Sequence, residues 1–138
     1  MTTYFSKEKI AQKLDYLSLI QGLQTAFRDA DITTPLRHHH DFYSPKDKTD
    51  NTLLLMPAWQ EGQYLGIKII TVVPKNTSRN MPTIQGDYFL YNAETGQPLA
   101  QLDARELTNR RTAAASALAC NYLAMPDAKT LLLSLIHI

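Results

Sequence analysis

The sequence predicts an α/β fold of the α+β kind, with N-terminal helices packed on a mostly antiparallel sheet of about four to six strands. Three observations carry this expectation. From Leu53 to Leu102 the chain alternates strand-like segments with short turns, which pairs strands antiparallel. On both sides lie segments with apolar residues at helical spacing behind a capping residue. The last of these, a long C-terminal helix, leads into the apolar run Lys129–Leu133, KTLLL. A helix, a break and an apolar strand are how a parallel α/β unit begins.

The elements follow in order. Ser6 is placed to cap a short helix over Lys7–Lys13, and Asp15 a longer one that fades near Asp31. Tyr16, Ile20, Leu23, Phe27 and Ala30 form the apolar stripe of the longer helix. Residues 32–50 are polar, contain two prolines and include Arg37-His38-His39-His40. Consecutive residues do not face one another on a helix or strand, so the histidines read as a solvated loop or strand start, not a metal site. Asn51–Trp59 is the first clear strand, with Pro57 pointing to an edge position or a bulge. Gln60–Gln63 turns the chain into a β-branched strand that Pro74 ends. A polar loop over Lys75–Asn80 leads to an aromatic strand, Ile84–Asn92, then a hairpin turn with Gly96 and a strand over Pro98–Leu102. Asp103 and Glu106 have the spacing of a capping box for the long helix, which Thr108-Asn109 is expected to interrupt.

Composition excludes several classes of function. The 138 residues suffice for one domain with a core. Fourteen basic and 13 acidic residues leave a net charge of +1, no footprint for nucleic acid or an anionic membrane. One cysteine, Cys120, rules out an internal disulfide and suits a cytoplasmic setting. It reads as a small buried filler.

Two residues break the apolar pattern. Lys68 shares a strand face with Gly66, Ile70 and Val72. It either snorkels to water from a sheet edge or meets a partner or ligand. Arg111 lies on the helical stripe of Leu107, Ala114, Ala115, Leu118 and Tyr122. Arg110, one step round, reads as solvated.

MPAW (Met56–Trp59), GIKIITVVPKNTSRNMPTIQG (Gly66–Gly86), NAETGQPLAQLD (Asn92–Asp103) and LTNRRTAAASALA (Leu107–Ala119) resemble, in wording and spacing, the N-terminal half of ornithine cyclodeaminase/mu-crystallin proteins. The similarity runs from about Tyr4 to Leu132. It implies a substrate-binding and dimerisation domain whose sheet pairs with a partner subunit, followed by a Rossmann domain that takes NAD or NADP. It further implies that Arg37, Lys68 and Arg111 hold a substrate carboxylate, and that Thr83 and Arg111 also touch the dinucleotide. An arginine fork and a compact ammonium suit that task. The family's catalytic aspartate would lie beyond the C-terminus, leaving no catalytic residue in this chain.

Two departures qualify the resemblance. Where ornithine cyclodeaminase carries a glutamate for the substrate's side-chain amine, this sequence has Leu54. That favours a cyclic imino acid, as in a Δ1-pyrroline-2-carboxylate (ketimine) reductase, over ornithine cyclodeaminase. The third alternative is a non-catalytic binding or dimerisation module. The second departure is that no glycine lies beyond Gly96, so no G-x-G-x-x-G turn follows KTLLL. The expected division is a substrate-binding and dimerisation domain over 1–128, the first strand of a truncated Rossmann domain over 129–133, and a tail foreign to the family over 134–138. Alone, the chain is expected to bind no dinucleotide, and to aggregate or dimerise through uncovered apolar surface.

Overall fold

A computed structural model of the chain describes residues 2–132. Its order is β1 (Thr3–Phe5), α1 (Lys7–Lys13), α2 (Tyr16–Asp29), β2 (Ile32–Thr33), β3 (His38–Ser44), β4 (Thr49–Gln60), β5 (Tyr64–Val72), a 3-10 helix (Pro74–Arg79), β6 (Ile84–Asn92), β7 (Pro98–Asp103) and α3 (Ala104–Leu123). The strands make one seven-stranded sheet ordered β1-β7-β6-β5-β4-β2, with β3 also on β4. The class is as expected, with more strands than the four to six anticipated.

Caps fix the helix starts. The Ser6 hydroxyl accepts from Lys9 N at 3.5 Å, Asp15 Oδ1 from Ser18 N at 2.9 Å, and Asp103 Oδ1 from Glu106 N at 2.7 Å. Each satisfies an amide that the first turn cannot. The α3 helix runs unbroken through Thr108-Asn109. It buries Ala104 on one side of that pair and Ala114 and Leu118 on the other, and this packing overrides the local preference for a cap.

The meander β4-β5-β6-β7 is antiparallel throughout. Pro57 pairs with Ile67 on one side; on the other, β3 pairing stops at Leu55 and β2 pairing begins at Trp59. Its missing N–H therefore falls in the gap between two short partners. Residues 32–50, read as a loop or strand start, supply β2 and β3. The β1 strand pairs parallel with β7 in the register Thr3–Ala100.

One sheet face carries Met56, Lys68, Tyr88 and Leu102 side by side, and α3 lies over it. The α1 helix contacts α3, β7 and β1, while α2 packs chiefly on α3. The expected α2 stripe is therefore only part-covered: Ile20 and Leu23 are half-buried, but Phe27 is 70 % exposed. Cys120, expected inside, is exposed. Residues 129–132 form no strand; a strand needs a neighbour to bond, and none lies beside them among the described residues. Leu133 and the tail 134–138 lie outside the described residues.

Two glycines should respond oppositely to alanine. A Cβ at Gly86 would run into the Ile69 carbonyl, whereas nothing lies within 4 Å of one at Gly22. Gly86→Ala is expected to cost ~1–3 kcal/mol and Gly22→Ala to add ~0.5–1 kcal/mol, both read from denaturant unfolding.

Candidate functional site

Strand alternation aims Lys68 at the α3 side of the sheet, opposite Met56 on β4 and Tyr88 on β6. The Tyr88 ring crosses Gly66, where a Cβ would collide with it, and lines a separate cavity of about 270 Å³. Burial pushes its hydroxyl pKa up. With Tyr88 turned aside, the space over Lys68 stays open.

That space is a cavity of about 630 Å³. Leu54, Met56 and Ile70 supply apolar wall, and the start of α3 supplies Ala104, Arg105, Thr108, Asn109 and Arg111. Thr108 and Arg111 follow Ala104 at helical spacing and so share its face. Arg37 enters from the segment before β3, one step beyond the His38–Leu55 pair. Thr83 enters from the loop after the 3-10 helix. That loop is held by Val73 N donating to Thr83 O at 2.8 Å and Asn76 Nδ2 to Pro82 O at 3.0 Å. Arg37, Lys68, Thr83 and Arg111, the four residues singled out in the sequence, thus line one cavity, and so does Leu54.

Among the described residues the lining holds four cations, Arg37, Lys68, Arg105 and Arg111, and no carboxylate. Lys68 is half-buried, and its pKa is lowered first by burial and then by the Arg111 guanidinium. An anion in such a site would relieve the repulsion and favour the charged form of Lys68. A third cavity of about 650 Å³ is lined by Asp87 and Asp103 with Arg105; its two carboxylates against one cation suit an anion poorly. The histidine run diverges. His38 and His40 stack edge to face at 6.2 Å, while His39 turns to Asp41 at 3.0 Å. Among the described residues no group of three or more His, Cys, Asp or Glu is placed to hold a metal.

Arg110 corrects the sequence reading. It is not solvated but 14 % exposed, bonded to Glu106 and to the Leu14 carbonyl, each at 2.8 Å. Nothing in the local sequence marked it except Glu106 four residues earlier, a common ion-pair spacing.

Comparison with known proteins agrees with this architecture. The profile of the ornithine cyclodeaminase/mu-crystallin family matches residues 2–135. A Schizosaccharomyces pombe protein is 42 % identical over 94 % of the chain and 40 % of its own length. A Δ(1)-pyrroline-2-carboxylate reductase of Bacillus thuringiensis is 43 % identical over 71 % of the chain and 29 % of its own length. Among solved structures, an archaeal alanine dehydrogenase dimer with bound NAD superposes with TM-score 0.77 at 26 % identity, covering 91 % of this chain and 38 % of that one. Thermococcus litoralis Δ(1)-pyrroline-2-carboxylate reductase, in complex with NADH and L-proline, gives 0.74 at 26 % identity, covering 93 % and 40 %. The chain spans about two fifths of the length of the first curated relatives it matches.

The Lys68 environment sets a pH signature. The unfolded chain keeps this lysine protonated to higher pH, so the ligand-free fold gains stability as pH rises from the depressed folded midpoint to the ordinary ~10.4. Arg111→Gln removes the neighbouring charge and is expected to move the Lys68 midpoint upward, followed by NMR of its Cε. An unchanged midpoint would show that the two cations do not face each other.

Proposed function

The chain belongs to the ornithine cyclodeaminase/mu-crystallin family, and on that premise we propose that it is the substrate-binding and dimerisation part of an NAD(P)-dependent enzyme that reduces a cyclic imino acid of the Δ1-pyrroline-2-carboxylate type. One observation carries this reading: Arg37, Lys68 and Arg111 line a single cavity beside an apolar wall of Leu54, Met56 and Ile70. The cations take the carboxylate, and the wall takes the ring. A substrate held at one end by a bidentate fork and at the other by shape has its reactive carbon fixed, which is catalysis by orientation.

The dinucleotide, when bound, supplies the hydride. This chain offers it Thr83 and Arg111 at the cavity, but no glycine-rich turn for its pyrophosphate. The chain's own residues therefore bind and orient the imino acid. Ornithine cyclodeamination would need an acceptor for a side-chain ammonium. Among the described residues the lining contains no carboxylate, and Leu54 cannot serve.

The opposite sheet face supports association of two copies. Leu55, Pro57, Trp59, Ile67, Ile69 and Phe89 sit there, all half-buried. The α1 and α2 helices pack against α3, on the far side of the sheet. An uncovered apolar face of this kind marks an interaction surface. A related alanine dehydrogenase was solved as a dimer.

Three measurements test this. The full-length protein, supplied with NAD(P)H, is expected to reduce Δ1-pyrroline-2-carboxylate and to release no ammonia from L-ornithine; the reverse result refutes the reading. In calorimetric titration of this chain with pyrrole-2-carboxylate, Lys68→Met and Arg37→Ala should each weaken binding about tenfold or more, the scale of a lost charged hydrogen bond. Affinity should also fall as pH rises through the Lys68 midpoint. In sedimentation the chain should run as a dimer that Ile67→Asp disrupts, whereas a monomer before substitution would contradict the assigned face.

A further inference from the structure

Arg110 stands next to Arg111 but does a different job, because consecutive helical residues point about 100° apart. Its Nε donates to Glu106 Oε1 at 2.8 Å, and one terminal nitrogen donates to the Leu14 carbonyl at 2.8 Å. Its guanidinium carbon lies 5.0 Å from the centroid of the Tyr16 ring. Leu14 is the C-cap of α1, Asp15 the N-cap of α2 and Tyr16 the first residue of α2. A single planar group therefore ties α3 to the junction of both N-terminal helices. Arg110 and Glu106 are only 14 % and 13 % exposed, so water competes weakly for these bonds.

The rest of the α3 interface is poor at fixing rotation. Its buried residues are Ala104, Ala114 and Leu118, with Leu118 as the one large knob, a full four residues beyond Ala114 and farther still from the cavity. A helix on such a surface can roll at little cost in burial. Directional bonds oppose rolling: Gln24 Nε2 of α2 donates to the Tyr122 hydroxyl at the far end of α3, and Arg110 holds the end of α3 nearer the cavity.

We propose that Arg110 is a positioning residue: by clamping α3 to the α1–α2 junction, it holds Arg111 aimed into the cation-lined cavity. The N-terminal helices contribute no side chain to that cavity, yet on this account they set its affinity for an anion. The inference rests on the reading of the cavity as a carboxylate site.

The test is a double-mutant cycle on this chain, titrated with pyrrole-2-carboxylate well below the unfolding temperature of every variant. Arg110→Ala is expected to weaken binding about tenfold when Arg111 is present, and less than about twofold in an Arg111→Ala background, because with no cation at 111 a residue acting through Arg111 has little left to position. Arg110→Lys keeps the charge but loses the planar fork that reaches Glu106 and the Leu14 carbonyl from two separate nitrogens. It serves if the alanine variant does not fold, and should give the same pattern. Without any ligand, NMR relaxation of the Arg111 Nε–H should report greater motion in Arg110→Lys. Equal weakening in both backgrounds would make Arg110 a general stabiliser and overturn the proposal. Unchanged binding and unchanged Arg111 motion in Arg110→Lys would overturn it while leaving the carboxylate site intact. Failure of the unaltered chain to bind would remove the carboxylate site itself, and this inference with it.

Discussion

Four cations line one cavity of this fold, and among the described residues no acid lines it with them. Lys68 is half-buried in a sheet face that is otherwise apolar, with Arg111 close enough to depress its pKa. Arg37 and Arg105 line the same cavity. The three arginines are exposed and only Lys68 is half-buried, so the unfavourable charge falls chiefly on Lys68, from burial first and from Arg111 second. That makes the cavity a place where binding an anion does two things at once: it forms charge-assisted hydrogen bonds, and it relieves a repulsion already present.

The placing of the cations is done by other residues. Strand register places Lys68 between Met56 and Tyr88, and Gly66 gives the Tyr88 ring somewhere else to lie. Gly86, which lines the cavity, lets β6 pass against the Ile69 carbonyl. Asp103 starts α3 at the cavity edge. Asn76 closes the loop that delivers Thr83, while Arg79 pairs with Asp47 to tie the 3-10 helix to the turn between β3 and β4. Arg110 completes the set from behind. Each of these supports is a local bond or a missing side chain, and together they fix a geometry that electrostatics alone would spread apart.

Much of this was legible in the sequence, for identifiable reasons. The central strands β4 to β7 bury at least part of both faces and carry β-branched and aromatic residues, so their pattern is strong. Ser6, Asp15 and Asp103 announce helix starts by side-chain chemistry that works locally. Lys68 stood out because its neighbours on the strand face are apolar. The edges were hidden. The β3 strand, HHHDFYS, is exposed along nearly its whole length, so no apolar alternation marks it. The β1 strand has three residues and pairs with β7 nearly a hundred positions away, which no local window can see. Arg110 was misread because its main partner, the Leu14 carbonyl, is equally remote. The continuity of α3 through Thr108-Asn109 depends on what Ala104, Ala114 and Leu118 bury against, again a tertiary matter.

The account depends most on one carboxylate being shared by three cations from three separate elements. A crystal structure of the chain with pyrrole-2-carboxylate tests this directly. The account predicts the carboxylate oxygens within hydrogen-bond distance of Arg37, Lys68 and Arg111, with the ring against Leu54 and Met56. A carboxylate bound elsewhere, or held by one of the three with the others turned to solvent, would contradict it.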